Sequence, residues 1–75
     1  MNITKTLDAK GLACPMPIVK TKKTIDMINS GEVLQVLATD KGALNDFKAW
    51  AGSAGHIILD QKEEDGVLKF YIQKA

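Results

Sequence analysis

The sequence predicts an α+β domain, a two-layer sandwich in the order βαβαββ with two helices on one face of a four-stranded mixed sheet. Three observations carry this. Two segments repeat apolar residues at helical spacing, four short segments read as strands, the second and fourth with period-two alternation, and Asp65-Gly66 joins the last two as a hairpin turn. Residues 1–75 are expected to form a single domain, because 75 residues is about half an ordinary domain length and leaves room for one modest core.

The first strand is read over Ile3-Thr4-Lys5-Thr6-Leu7-Asp8, β-rich with spaced apolar residues, and Gly11 punctuates the loop after it. From Pro15 or Met16 to about Asn29 the spacing predicts a helix. Ile18, Thr21, Ile25 and Ile28 share one face, Lys20, Lys23 and Met27 lie on the other, and Ser30-Gly31 is the expected stop.

Glu32 to Thr39 reads as the second strand and the best candidate for a central one, with Leu34, Val36 and Ala38 on its buried face. Asp40 is the expected cap of a second helix that gathers Ala43, Leu44, Phe47, Trp50, Ala51 and Ala54 in one sector, with Gly52 loosening it and Gly55 ending it. His56 to about Glu63 forms a third strand. Val67 to Gln73 returns as a fourth, with Leu68, Phe70 and Ile72 facing the core and Lys69, Tyr71 and Gln73 facing a largely wet side.

Composition bounds the function. Apolar residues are 45% of the chain and charged residues 25%, the balance of a folded globular domain. Ten basic and nine acidic residues leave a formal charge of +1, too little for the phosphate attraction that nucleic-acid binders draw from clustered lysines, so no direct nucleic-acid partner is expected. No long apolar run follows the N-terminus or occurs elsewhere, so neither secretion nor a membrane is expected. With one Cys and one His there is no internal disulfide and no ligand set for a structural zinc, and no cofactor is implied. A free thiol fits a reducing cytoplasm.

That single cysteine, Cys14, falls in Cys14-Pro15-Met16-Pro17 at a helix start rather than on an apolar stripe. A helix N-terminus offers partial positive charge and unpaired N–H groups, which favour the thiolate, the nucleophilic form. Pro15 and Pro17 lack donors that the first turn leaves unpaired anyway, and they stiffen the turn. Lys10 and Lys20 are close enough in sequence to add positive potential.

The chemistry is narrowed by what is missing. A dithiol oxidoreductase needs Cys-x-x-Cys, and position 17 is Pro; a cysteine hydrolase needs a nearby His, and His56 follows the second helix. Exchange at sulfur needs neither. The thiolate takes a sulfane sulfur from a donor protein and holds it as a persulfide for an acceptor. A different class, a non-catalytic interaction module, would use the same loop only as a docking surface, with Met16 in an apolar contact patch. Trp50, Phe47 and Tyr71 are not a base-stacking platform, since the first two share the helix core sector and Tyr71 stands alone on the open sheet face. His56 is read as a surface residue.

Leu7-Asp8-Ala9-Lys10-Gly11-Leu12-Ala13-Cys14-Pro15-Met16-Pro17, with Lys22-Lys23, Gly31-Glu32 and the aspartate after the second strand, resembles the TusA/SirA-like sulfur-carrier family. The resemblance spans nearly the whole chain. It implies a sulfurtransferase-type persulfide relay on Cys14, with Pro15 and Pro17 as scaffold; Gly11 is read as scaffold beside them, and Met16, Lys10 and Lys20, from their place around the motif, as candidate partner contacts. It also implies a cysteine desulfurase or rhodanese-type sulfur donor, and a downstream acceptor in tRNA thiolation, molybdenum-cofactor or sulfur-oxidation chemistry. One departure bears on the partner: the tRNA-thiolation members commonly carry an acidic residue where this chain has Met16.

Overall fold

The computed structural model describes residues 2–13 and 15–75. Its elements run β1 (Lys5–Ala9), α1 (Met16–Ile25), β2 (Val33–Ala38), α2 (Ala43–Ala54), β3 (Ile57–Glu64) and β4 (Val67–Gln73), the predicted βαβαββ order. The sheet order is β1-β2-β4-β3, with β1 parallel to β2 and β4 antiparallel to both its neighbours. β2 is therefore central, as its apolar pattern predicts.

The alternation of β2 and β4 builds the core. Leu34, Val36 and Ala38 pair with Ile72, Phe70 and Leu68 on the face that α1 and α2 cover. Leu34, Val36, Ala38, Phe70 and Ile72 have no exposed surface. Ile25 and Ile28 come down from the α1 side, Ala43 and Phe47 from α2. Phe47 stacks on Phe70 at 4.5 Å between ring centroids and meets the edge of Trp50 at 6.1 Å. Such pairs add to simple burial because ring edges and faces carry opposite partial charge.

Several boundaries differ from expectation. α1 ends at Ile25, four residues short of Asn29, because Met27 and Ile28 donate three residues back, to the carbonyls of Thr24 and Ile25. Asn29 N–H then turns to the Glu32 carboxylate at 2.6 Å. Two threonines prepare this exit: Thr21 Oγ1 donates to Pro17 O at 2.7 Å and Thr24 Oγ1 to Lys20 O at 2.9 Å, a back-bonding that weakens a helix locally. Ser30-Gly31 is thus part of the turn into β2 rather than the stop, and Gly31 donates to Lys74 O at 2.8 Å. β1 begins at Lys5 instead of Ile3, which is exposed.

Asp40 is not the N-cap of α2. Gly42 holds that position, and Asp40 acts one turn earlier, accepting Gly42 N–H on Oδ1 at 3.2 Å and Ala43 N–H on its carbonyl at 3.0 Å. Ala54, expected in the apolar sector, is exposed on the last turn. Asp65 and Gly66 both take left-handed φ, 51° and 77°, as a two-residue hairpin with matching twist requires.

On the helix-free side of the sheet the edge residues Thr6, Asp60 and Lys62 are exposed, as expected, while Gln35, Lys69, Tyr71 and Gln73 on the central strands are half-buried. Thr6 Oγ1 donates to Gln35 Oε1 at 3.1 Å and Gln35 Nε2 donates to Tyr71 Oη at 3.1 Å, so Tyr71 is held in a cross-strand ladder rather than standing alone. His56 is half-buried: its ring lies 5.1 Å from Trp50, and its Nδ1 accepts Ala75 N–H at 3.0 Å. No described helix is long and apolar enough to cross a membrane.

Candidate functional site

Register places the site. Ala9 pairs with Ala38, Ala38 with Leu68 and Leu68 with Glu63, so β1, β2 and β3 all finish at one end of the sheet. The loop from β1 to α1 and the loop from β2 to α2 leave from that end side by side. In open α/β sheets the carboxyl ends of parallel strands are where chemistry gathers, since both loops and following helix N-termini converge there.

The β1–α1 loop is fastened residue by residue. Asp8 Oδ1 accepts Lys10 N–H at 3.0 Å, and the Lys10 ammonium lies 4.0 Å from the other Asp8 oxygen, an exposed pair that orders the loop more than it stabilises the fold. Gly11 follows at φ +81°, a left-handed conformation that disfavours any Cβ. Its N–H donates to Thr39 Oγ1 at 2.9 Å. Leu12 N–H reaches back to Ala9 O at 3.3 Å while its side chain packs on the core.

Cys14 itself lies outside the described residues. The residues after it open α1. Pro15 is the N-cap at φ −94° and ψ 9°, its carbonyl accepting Val19 N–H at 3.1 Å. Met16 donates to Ala13 O at 2.9 Å. Pro17 is fully buried and its carbonyl holds the Thr21 hydroxyl, so the second proline is a packing anchor as well as a residue without a donor. That burial has no clear sequence signal, because proline is common at helix starts on any face.

Met16 is 42% exposed, and Lys20, one turn on, is also exposed. Lys23 and Met27 continue the same outward stripe at helical spacing. The first turn of α1 holds no acidic residue and no side chain caps it, while Lys22 and Lys23 sit in its last turn. The positive end of the helix is therefore not neutralised from within its own first turn. Lys10 and Lys20 stand on either side of the motif in sequence, Lys10 paired to Asp8 and Lys20 exposed on α1.

Two hollows lie along β3, away from the described part of the loop: one of about 190 Å³, lined by Leu44, Gln61, Lys62, Glu63, Leu68 and Phe70, and one of about 370 Å³, lined by Lys48, Ile58, Leu59, Asp60 and Gln61. Among the described residues no three of His, Cys, Asp or Glu gather to hold a metal ion.

The sequence profile described as sulfurtransferase TusA matches residues 5–74. The chain is 60% identical to YrkI of Bacillus subtilis, a protein named as a candidate sulfur carrier, over the full length of both. It is 48% identical to the sulfur carrier protein TusA of Allochromatium vinosum, covering 92% of this chain and 91% of that one. The crystal structure of a SirA-like protein from Desulfitobacterium hafniense superposes with a TM-score of 0.83 at 28% identity, covering 93% of this chain and 96% of the other. With the loop, the helix start and the βαβαββ sheet in place, the chain belongs to the TusA sulfurtransferase family.

Proposed function

We propose that this protein relays sulfane sulfur between two partner proteins, holding it as a persulfide on Cys14. The observation that supports this most is the coincidence of the family match over residues 5–74 with a sole cysteine directly before the Pro15-Met16-Pro17 start of α1. In loading, the Cys14 thiolate attacks the outer sulfur of a donor persulfide. The Cys14 S–S bond forms as the donor's breaks, and the donor cysteine leaves as a thiolate. In delivery, an acceptor nucleophile attacks the same outer sulfur and Cys14 departs as the leaving thiolate. Each step exchanges one sulfur bond for another, with no external oxidant or reductant.

The local chemistry suits both halves. A persulfide is more acidic than a thiol, so the loaded form is an anion at neutral pH, and a helix N-terminus without a first-turn carboxylate favours it. The small size of the chain suits a carrier whose sulfur must enter a partner's own active site. Gly11, Pro15 and Pro17 serve as scaffold, and the exposed Met16 and Lys20, with Lys10, form the contact surface for the donor, a cysteine desulfurase or rhodanese-type enzyme, and for the acceptor. A reducing compartment such as the cytoplasm keeps the lone thiol available.

The test separates relay from docking. Cys14→Ser is measured for donor binding by calorimetry and for sulfur delivery by transfer of labelled sulfur from donor to acceptor. Retained binding with abolished delivery is the expected result. Delivery that survives in Cys14→Ser contradicts the relay.

A further inference from the structure

We infer that Thr39 is a positioning residue for the Cys14 loop, acting through its hydroxyl on the Gly11 backbone. The inference rests on the persulfide-relay reading for its significance, but the geometry stands independently of it. Thr39 follows β2 and Gly11 follows β1, and the two are brought together only by the parallel register that pairs Ala9 with Ala38. Gly11 N–H donates to Thr39 Oγ1 at 2.9 Å, a hydrogen bond between the β1–α1 and β2–α2 loops across 28 residues of sequence.

Its position makes it effective. Upstream, the loop is held at Lys10 by the Asp8 carboxylate; downstream, it is held at Leu12 by Ala9 O and by packing on the core. Gly11 lies between these anchors with left-handed backbone, and a Cβ there would meet nothing within 4 Å. No described residue packs where a Gly11 Cβ would stand. The Thr39 hydroxyl fixes the orientation of the peptide, and three residues later the chain reaches Cys14. Thr39 and Gly11 are both exposed, so water replaces the lost partner when the hydroxyl is removed, and the cost falls on loop geometry rather than on the core.

Thr39→Val is the informative change because it keeps the β-branched shape and deletes only the hydroxyl. The Gly11 amide, followed by NMR hydrogen exchange, should lose protection in Thr39→Val and keep it in Thr39→Ser. The rate of Cys14 alkylation against pH, which needs no sulfur donor and no persulfide, should fall about three- to tenfold at neutral pH in Thr39→Val and recover in Thr39→Ser, as expected for losing a hydrogen bond of ordinary strength. The thermal midpoint should fall by no more than about 8 °C, with the protein still folded at the assay temperature. Sulfur loading from a desulfurase, measured beside it, should fall in parallel.

An unprotected Gly11 amide in the wild-type protein overturns the inference without any variant. So does a Thr39→Val alkylation profile equal to wild type, or a loss that Thr39→Ser does not restore. Failure of the relay reading looks different: alkylation still responds to Thr39 while no donor loads Cys14.

Discussion

Replacing Gly11 by Ala isolates backbone conformation as the quantity that holds the loop. Gly11 sits at φ +81°, and among the described residues the added methyl would meet nothing within 4 Å, so the cost worked here is that of the backbone. The cost is that of left-handed backbone for an L-residue, roughly 1–2 kcal/mol, lessened by the smaller entropy of the unfolded Ala chain, and nets to about 1 kcal/mol. Gly31 provides a matched control at the other end of the sheet, with φ +86° and equally open surroundings. Gly31→Ala should lose the same stability. A 75-residue domain holds about 4–11 kcal/mol, so both variants remain folded, and differences in function reflect the loop rather than unfolding. Urea denaturation measures stability, and loading of Cys14 by a sulfur donor measures function. Both variants should unfold at lower urea with unchanged slope, and Gly11→Ala alone should load slowly. Gly11→Asn, which tolerates left-handed backbone, should recover about half the loss. Equal loading by the two alanine variants, or a Gly11→Ala midpoint equal to wild type, refutes the reasoning.

Three other outcomes follow from the same geometry. Phe47→Ala removes a fully buried ring stacked on Phe70, and should cost about 3–5 kcal/mol by chemical denaturation, enough to leave the domain marginal; a loss below about 1.5 kcal/mol contradicts the assigned core. Lys20→Glu combined with Lys23→Glu reverses the charge of the exposed α1 stripe beside Met16 and should weaken donor or acceptor binding with a steep salt dependence, leaving thermal stability nearly unchanged; salt-independent, wild-type binding contradicts the contact surface. The rate of Cys14 alkylation should rise with a midpoint below ~8.5, the ordinary cysteine value, because α1 leaves its positive end open; a midpoint at or above that value contradicts activation by the helix.

What could be read from the residues depended on whether the relevant interaction was local. The alternation of Leu34, Val36 and Ala38 and of Leu68, Phe70 and Ile72 located the two central strands, because a period-two pattern exists only where one face is buried. Asp65-Gly66 was legible for the same reason, as a turn set by its own two residues. The end of α1 was not, because Thr21 and Thr24 read as tolerable helix residues until their hydroxyls are seen on the carbonyls of Pro17 and Lys20. Asp40 showed the right residue type for a cap but acts on the turn before the helix.

At the site the contrast is sharper. The Cys14-Pro15-Met16-Pro17 motif and Gly11 stand out in the sequence, and the left-handed φ of Gly11 gives its presence a physical reason. Thr39 does not stand out. Its role depends on a register between β1 and β2 that no local pattern encodes. The same holds for His56, whose contact with the Ala75 amide joins residues 19 apart.

Intact-mass measurement of the protein after incubation with a cysteine desulfurase and cysteine, or with a rhodanese and thiosulfate, tests the central claim most directly. The account predicts a gain of one sulfur atom, removed by a reducing thiol and absent from Cys14→Ser. A folded wild-type protein that gains no sulfur from either donor system, or gains it equally in Cys14→Ser, contradicts it.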